Sequence, residues 1–173
     1  MKKFVYLACG IFIVLISVFL SSFSIHAEPK EGQKFGDWTI NCFDNGSKNK
    51  TCFLTQYVTA TQNNESKSLA IYQIGYAKNQ KDLTLIETVP LGVNLTAGTA
   101  ITVNSAELIA KAPYSQCTVN GCQSIIQLSD ADFKKIINST SIALNVIDYN
   151  SGSQSNIPFS NKGLSDGIKA LKK

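Results

Sequence analysis

Phe35-Gly36-Asp37-Trp38-Thr39-Ile40-Asn41-Cys42 decides how the rest of the chain is read. It holds the only tryptophan and the first cysteine beyond the N-terminal apolar segment. Trp38, Ile40 and Cys42 alternate with Thr39 and Asn41, the period-two pattern of a strand with one apolar face. Asp44 to Lys50 is a polar turn cluster, after which Cys52, Leu54, Gln56 and Val58 alternate with Phe53, Thr55 and Tyr57. Two such runs joined by a polar loop predict a hairpin. That hairpin brings Cys42 close to Cys52, and we pair them as a disulfide.

Upstream of this stretch the chain reads as export signal and tether. Lys2 and Lys3 precede an uncharged, mostly apolar run from Phe4 to Phe23, and Ile25-His26-Ala27 provides a cleavage site before Glu28. This is the pattern of a secretory signal peptide, assigned to residues 1–27. A run of about 20 apolar residues is also long enough to span a bilayer, so an uncleaved segment would tie the domain to a membrane. Ser21, Ser22 and Ser24 break the run and favour cleavage. Cys9 lies too close to the start for a lipoprotein signal. Residues 28–34, polar and containing Pro29 and Gly32, read as a linker, and residues 35–173 as one domain.

Charge and composition exclude several function classes. Without Lys2 and Lys3, 14 lysines face 12 acidic residues, and there is no arginine. A net charge of +2 without the planar guanidinium fork gives no support for nucleic-acid binding. His26, the only histidine, leaves with the signal. The remaining chain lacks the usual general base and the commonest metal ligand. Four cysteines remain once Cys9 is removed, an even number that reads as two disulfides in an oxidising compartment.

The alternation continues downstream. Thr61 to Ser68 reads as a polar turn, and Leu69 to Ala77 is apolar on both faces, as in a central strand between covered surfaces. Leu83, Leu85, Glu87 and Val89 then alternate with Thr84, Ile86 and Thr88. Pro90 to Gly98 is a shaped connection, and Ala100–Asn104 with Glu107–Lys111 a short hairpin. Cys117 and Cys122 bracket four residues that include Asn120-Gly121, which fits a hairpin turn clipped by a disulfide. A redox pair would need two intervening residues opening a helix. Closing two loops this short contributes on the order of 2–3 kcal/mol each in the chain-entropy picture.

Ser129-Asp130-Ala131-Asp132 caps a short helix whose apolar side is Phe133, Ile136 and Ile137. Ser141 to Tyr149 is another strand, Ile157 to Ser160 an edge strand carrying Pro158, and Leu164, Ile168 and Leu171 mark a C-terminal amphipathic helix. The pattern predicts a mainly β fold, an antiparallel β-sandwich with one or two short helices, and a small closed barrel as the alternative. Asp130 and Asp132 serve the helix cap and dipole rather than a cation. Asp37 stabilises the turn into the first strand, and Lys169, Lys172 and Lys173 form a solvated helix end. No Gly-x-Ser-x-Gly elbow occurs, and a Ser–His pair is excluded once His26 is gone.

Four elements in order resemble the invasion-associated locus B family of bacterial envelope proteins. They are Phe35-Gly36-Asp37-Trp38 leading to Cys42, Cys52-x-Leu54-x-Gln56, Pro90-Leu91-Gly92-Val93 leading through Leu95 to Gly98, and Tyr114 leading to Cys117 and Gly121-Cys122. The resemblance implies an immunoglobulin-like sandwich, export to the periplasm or outer membrane of a Gram-negative bacterium or secretion, and a link to host-cell (erythrocyte) invasion. It implies no catalytic residue, cofactor or metal. Asn104 stands where the family pattern leads us to expect an acid. Two functions follow as expectations. One is a binding module for a protein partner in the envelope or on the host cell, displaying Asn45–Thr51 and Leu91–Gly98. The other is a periplasmic assembly or stress factor without host contact.

Overall fold

A computed structural model describes residues 29–44, 50–77 and 80–172. Residues 1–28, which include the stretch expected to be an export signal, residues 45–49 of the first loop, residues 78–79 and Lys173 lie outside the described residues. In chain order the elements are strands β1 (Lys34–Phe35), β2 (Trp38–Phe43), β3 (Thr51–Gln62), β4 (Glu65–Tyr76), β5 (Leu83–Val89), β6 (Thr99–Val103), β7 (Glu107–Ala112), β8 (Tyr114–Thr118) and β9 (Gly121–Leu128). Helix α1 (Asp130–Asn138), β10 (Ile142–Ile147), β11 (Gln154–Pro158) and helix α2 (Leu164–Leu171) complete them. A seven-stranded sheet runs β1-β2-β3-β4-β5-β9-β8, and a four-stranded sheet runs β11-β10-β6-β7. The strand pairings are antiparallel in both.

Alternation puts one face of each sheet into a shared core. Leu83, Leu85 and Val89 of β5, Ile126 and Leu128 of β9, Ile101 and Val103 of β6, and Leu144 and Val146 of β10 are all buried. The N-terminal stretch is locked by the C-terminal one. Trp38 is fully buried, its ring edge-on to Phe159 at 6.3 Å. Gly36 (φ 56°) and Gly163 (φ 81°) pack backbone to backbone here. A Cβ on Gly36 would lie 2.3 Å from the Lys162 carbonyl oxygen, and one on Gly163 2.2 Å from that of Phe35. Only glycine combines the left-handed conformation with that approach. On α2, Gly167 lets the side chain of Leu54 seat against the helix.

Both cysteine pairs are bonded, Cys42 to Cys52 and Cys117 to Cys122, each between directly opposed residues of a hairpin. They staple opposite ends of the large sheet. Outer strands are short or irregular: β1 has two residues, β8 a register shift between Tyr114 and Gln116, and β11 ends on Pro158. Such features blunt the tendency of a free edge to pair with another chain.

Three boundaries differ from the sequence reading. Residues 28–34 are not wholly a linker, because Gly32 N–H donates to the Ile40 carbonyl (2.8 Å), Ile40 N–H donates to Gln33 (2.9 Å), and Lys34 lies in β1. An edge strand held by backbone bonds needs no apolar residues, so its polar sequence resembles a tether. The turn expected over Thr61–Ser68 shrinks to Asn63-Asn64, both with positive φ, as a two-residue hairpin demands. Thr59–Thr61 and Glu65–Ser68 extend the hairpin as an exposed arm, paired only within itself. Finally, β4 buries only one face fully. Ala70, Tyr72 and Ile74 are buried, whereas Ile71 and Gln73 are only partly buried.

Candidate functional site

Registers of the large sheet place one row of inward-facing polar and aromatic side chains across it. Gln56 pairs with Tyr72, Tyr72 with Glu87, Glu87 with Ser124, and Ser124 with Tyr114. Trp38 precedes Thr39, whose partner Thr55 precedes Gln56, so Trp38 starts the row. Trp38 Nε1–H donates to the Ser160 carbonyl (2.8 Å), Ser160 N–H donates to Gln56 Oε1 (2.9 Å), and Tyr72 O–H donates to the Ile157 carbonyl (3.1 Å). These side chains hold the end of β11 and the segment that links it to α2. Their chemistry is structural, since Trp38 Nε1, Gln56 Oε1 and the Tyr72 hydroxyl all meet backbone.

The other half of the row is different. Glu87 is fully buried; its Oε2 lies 2.6 Å from Ser124 Oγ and 2.9 Å from Thr99 Oγ1 of the opposite sheet. Among the described residues its Oε1 has no hydrogen-bond partner, and neither has the Tyr114 hydroxyl. Burial pushes the Glu87 carboxyl up to about 7, and the hydrogen bonds from Ser124 and Thr99 oppose that rise. Burial and the nearby Glu87 charge push Tyr114 up to about 12 and raise Tyr72 further. Sequence reading placed Glu87 on the same face as Leu83, Leu85 and Val89 but drew nothing from it. A carboxylate on the apolar face of an alternating strand is the signal that would have found this cluster.

A second feature opens at one end of the sandwich. A groove of about 420 Å³ is lined by Leu69, Val89, the Pro90–Val93 segment, Val146, Asp148 and Ser155–Ile157. Its rim is built rather than loose. Val93 bridges Asp148, Asn94 N–H donates to Ile147 (2.8 Å) and Tyr149 N–H donates to Gly92 (2.8 Å). Asn94 Oδ1 accepts from Thr96 and Ala97, closing the loop on itself. Across the groove, Asp148 Oδ1 accepts from the backbone and hydroxyl of Ser151 and from Asn150 N–H, which holds its carboxyl below the usual range. Leu91, Leu95 and Tyr149 stand out from this end, 59%, 54% and 70% exposed. Of the two loops expected to be displayed, Leu91–Gly98 thus lies at a groove, while most of Asn45–Thr51 is outside the described residues.

The remaining residues singled out by sequence have local roles. Ser129 Oγ accepts from Asp132 N–H (3.1 Å) and lies 2.6 Å from its carboxylate, while Asp130 sits exposed in the first turn of α1. Asp37 touches Lys162 through its backbone N–H. Lys169 pairs with Asp166 (3.2 Å), and Lys172 lies over the Tyr76 ring. Asn104 occupies a left-handed turn position (φ 50°) and its Oδ1 accepts from Thr140 N–H and Oγ1–H. The role an acid would fill there is that of an acceptor, which asparagine supplies.

No cluster of three or more His, Cys, Asp or Glu residues suited to a metal occurs among the described residues. None of their helices is long and apolar enough to cross a membrane. Fold and site together define a disulfide-stapled antiparallel β-sandwich with an interior polar row and a shaped groove at one end. The chain belongs to the invasion associated locus B (IalB) family, whose model matches residues 38–172. Among solved structures, the crystal structure of invasion associated protein b from Bartonella henselae is similar in fold. The TM-score is 0.68, at 18% identity, over 80% of this chain and 92% of that one. No curated protein matches the chain by sequence. Family and disulfides point to an exported protein.

Proposed function

We propose that this chain is a non-enzymatic binding module of the cell envelope that contributes to host-cell invasion by contacting a protein partner. The observation that carries the reading is the groove, where a preorganised rim presents Leu91, Leu95 and Tyr149 to solvent. Large apolar side chains held on a rigid loop lose little entropy on binding, which is what a docking surface requires. Family membership supports the invasion role, and the two disulfides support residence outside the cytoplasm. The groove's single carboxylate, Asp148, is tied up in its own loop, so shape and apolar contact carry recognition there.

The test is protease shaving of intact bacteria with a periplasmic control protein, followed by binding of the purified mature chain to erythrocytes. Surface display predicts cleavage while the control survives, and at least a tenfold loss of cell binding in Leu91→Asp/Leu95→Asp. Protection until the outer membrane is opened defeats direct host contact and moves the partner inside the envelope.

A further inference from the structure

Glu87 is the one carboxylate among the fully buried residues described. An ionised carboxylate there gives up its water, and only a cation or a full set of donors would offset the loss. Glu87 forms no ion pair with any described residue. The groups that face it are Tyr72 from β4, Tyr114 from β8, Ser124 from β9 and Thr99 from β6 of the opposite sheet. All are hydroxyls.

Three of these oxygens form a closed triangle. Ser124 Oγ lies 2.6 Å from Glu87 Oε2, Thr99 Oγ1 lies 2.9 Å from the same oxygen, and the two hydroxyls are 3.0 Å apart. Three hydrogen-bonded edges need three hydrogens. Ser124 and Thr99 supply one each, so an anionic Glu87 leaves one edge without a hydrogen. The neutral acid completes the ring. Thr99 donates to Ser124, Ser124 to Glu87 Oε2, and the acid proton on Oε2 to Thr99, since a hydroxyl donates and accepts at once. Oε1, which has no partner, is then a carbonyl oxygen rather than half of a buried charge.

We propose that Glu87 is a proton-operated clamp: as the neutral acid it ties β5 and β9 of one sheet to β6 of the other, and as the anion it releases that tie. The clamp lies directly behind the groove. Val89, two residues along the same face of β5, lines it, and so does Ile157, whose carbonyl is held by Tyr72, the register partner of Glu87. Releasing the clamp loosens the floor on which a partner would sit.

The sign of the pH dependence follows from where the proton is held. Burial raises the folded-state carboxyl to about 7 from an ordinary 4.5. The folded chain therefore keeps a proton that the unfolded chain has lost. The added stability is complete below the unfolded value and is lost as pH rises through the folded one, roughly tenfold in the folding constant per pH unit between them.

Urea unfolding of the mature, disulfide-bonded chain from pH 5 to 8.5, beside Glu87→Gln, tests the proposal. Glutamine Nε2 carries two permanent N–H donors, one for Ser124 and one for Thr99, and with one hydroxyl donating to the other the three edges are filled at every pH. The wild type should lose stability relative to Glu87→Gln as pH rises, with the variant on the order of a hundredfold more stable at pH 8. Parallel pH profiles, or a wild type that gains on the variant, overturn the clamp. Should Glu87→Gln fail to fold, carbon-13 NMR of the Glu87 carboxyl in the wild type decides: a midpoint near 7 upholds the clamp, and one in the ordinary carboxylate range overturns it.

Discussion

The interior row of the large sheet divides into two halves with opposite chemistry. In one half, Trp38, Gln56 and Tyr72 each spend a polar atom on backbone of residues 157–160. In the other, Glu87 and Tyr114 each keep a buried oxygen without a partner. The first half is complete in every state of the protein, because amide, indole and backbone groups do not titrate near neutrality. In the second, the ring of Glu87, Ser124 and Thr99 is complete only when a proton is present. Burying polar side chains in one row therefore yields two different properties: fixed attachment of the C-terminal segment, and a stability that depends on pH. What separates them is whether the partner is backbone, whose donors and acceptors are permanent, or hydroxyl and carboxyl, whose hydrogens can run short.

Substitutions can break that division. The largest effect belongs to Trp38→Ala, which removes a fully buried indole and leaves the Ser160 carbonyl unpaired. It should cost about 3–5 kcal/mol by chemical denaturation, and a loss under about 1 kcal/mol would show that residues 157–163 are not anchored there. Tyr72→Phe keeps the ring against Phe159, 4.6 Å between centroids, and deletes only the hydroxyl. About 1 kcal/mol should be lost, independent of pH. Tyr114→Phe is the smallest, within about 0.5 kcal/mol of wild type, because the hydroxyl it deletes has no partner to lose. Equal costs for the two tyrosine variants would erase the distinction between the halves.

Much of the satisfied half was legible in sequence. Trp38, Leu54 and Gln56 fall on the inward face by alternation alone, and both disulfides follow from hairpins whose ends meet. What the sequence could not display was the partner of that face. Ser160 carries no mark that its backbone would receive both Trp38 and Gln56, since any residue offers the same amide. Gly36 and Gly163 likewise reveal their mutual packing only in three dimensions. The unsatisfied half was visible as an anomaly, Glu87 among Leu83, Leu85 and Val89, but its meaning needed Thr99 from another sheet. The edge strand at Lys34 escaped notice because solvent-facing residues leave no apolar period. The groove arose from two loops far apart in sequence, Pro90–Val93 and Asp148, joined through backbone bonds that no residue pattern encodes.

The bond from Trp38 to Ser160 spans 122 positions. Nearly the whole chain must therefore be present before the first long strand can seat its tryptophan. Contacts of such separation are slow to form, because the loop they close must be ordered first. For a chain passed through a membrane N-terminus first, this sets an order of assembly. The cysteine hairpin can close early, whereas the core stays open until α2 has emerged.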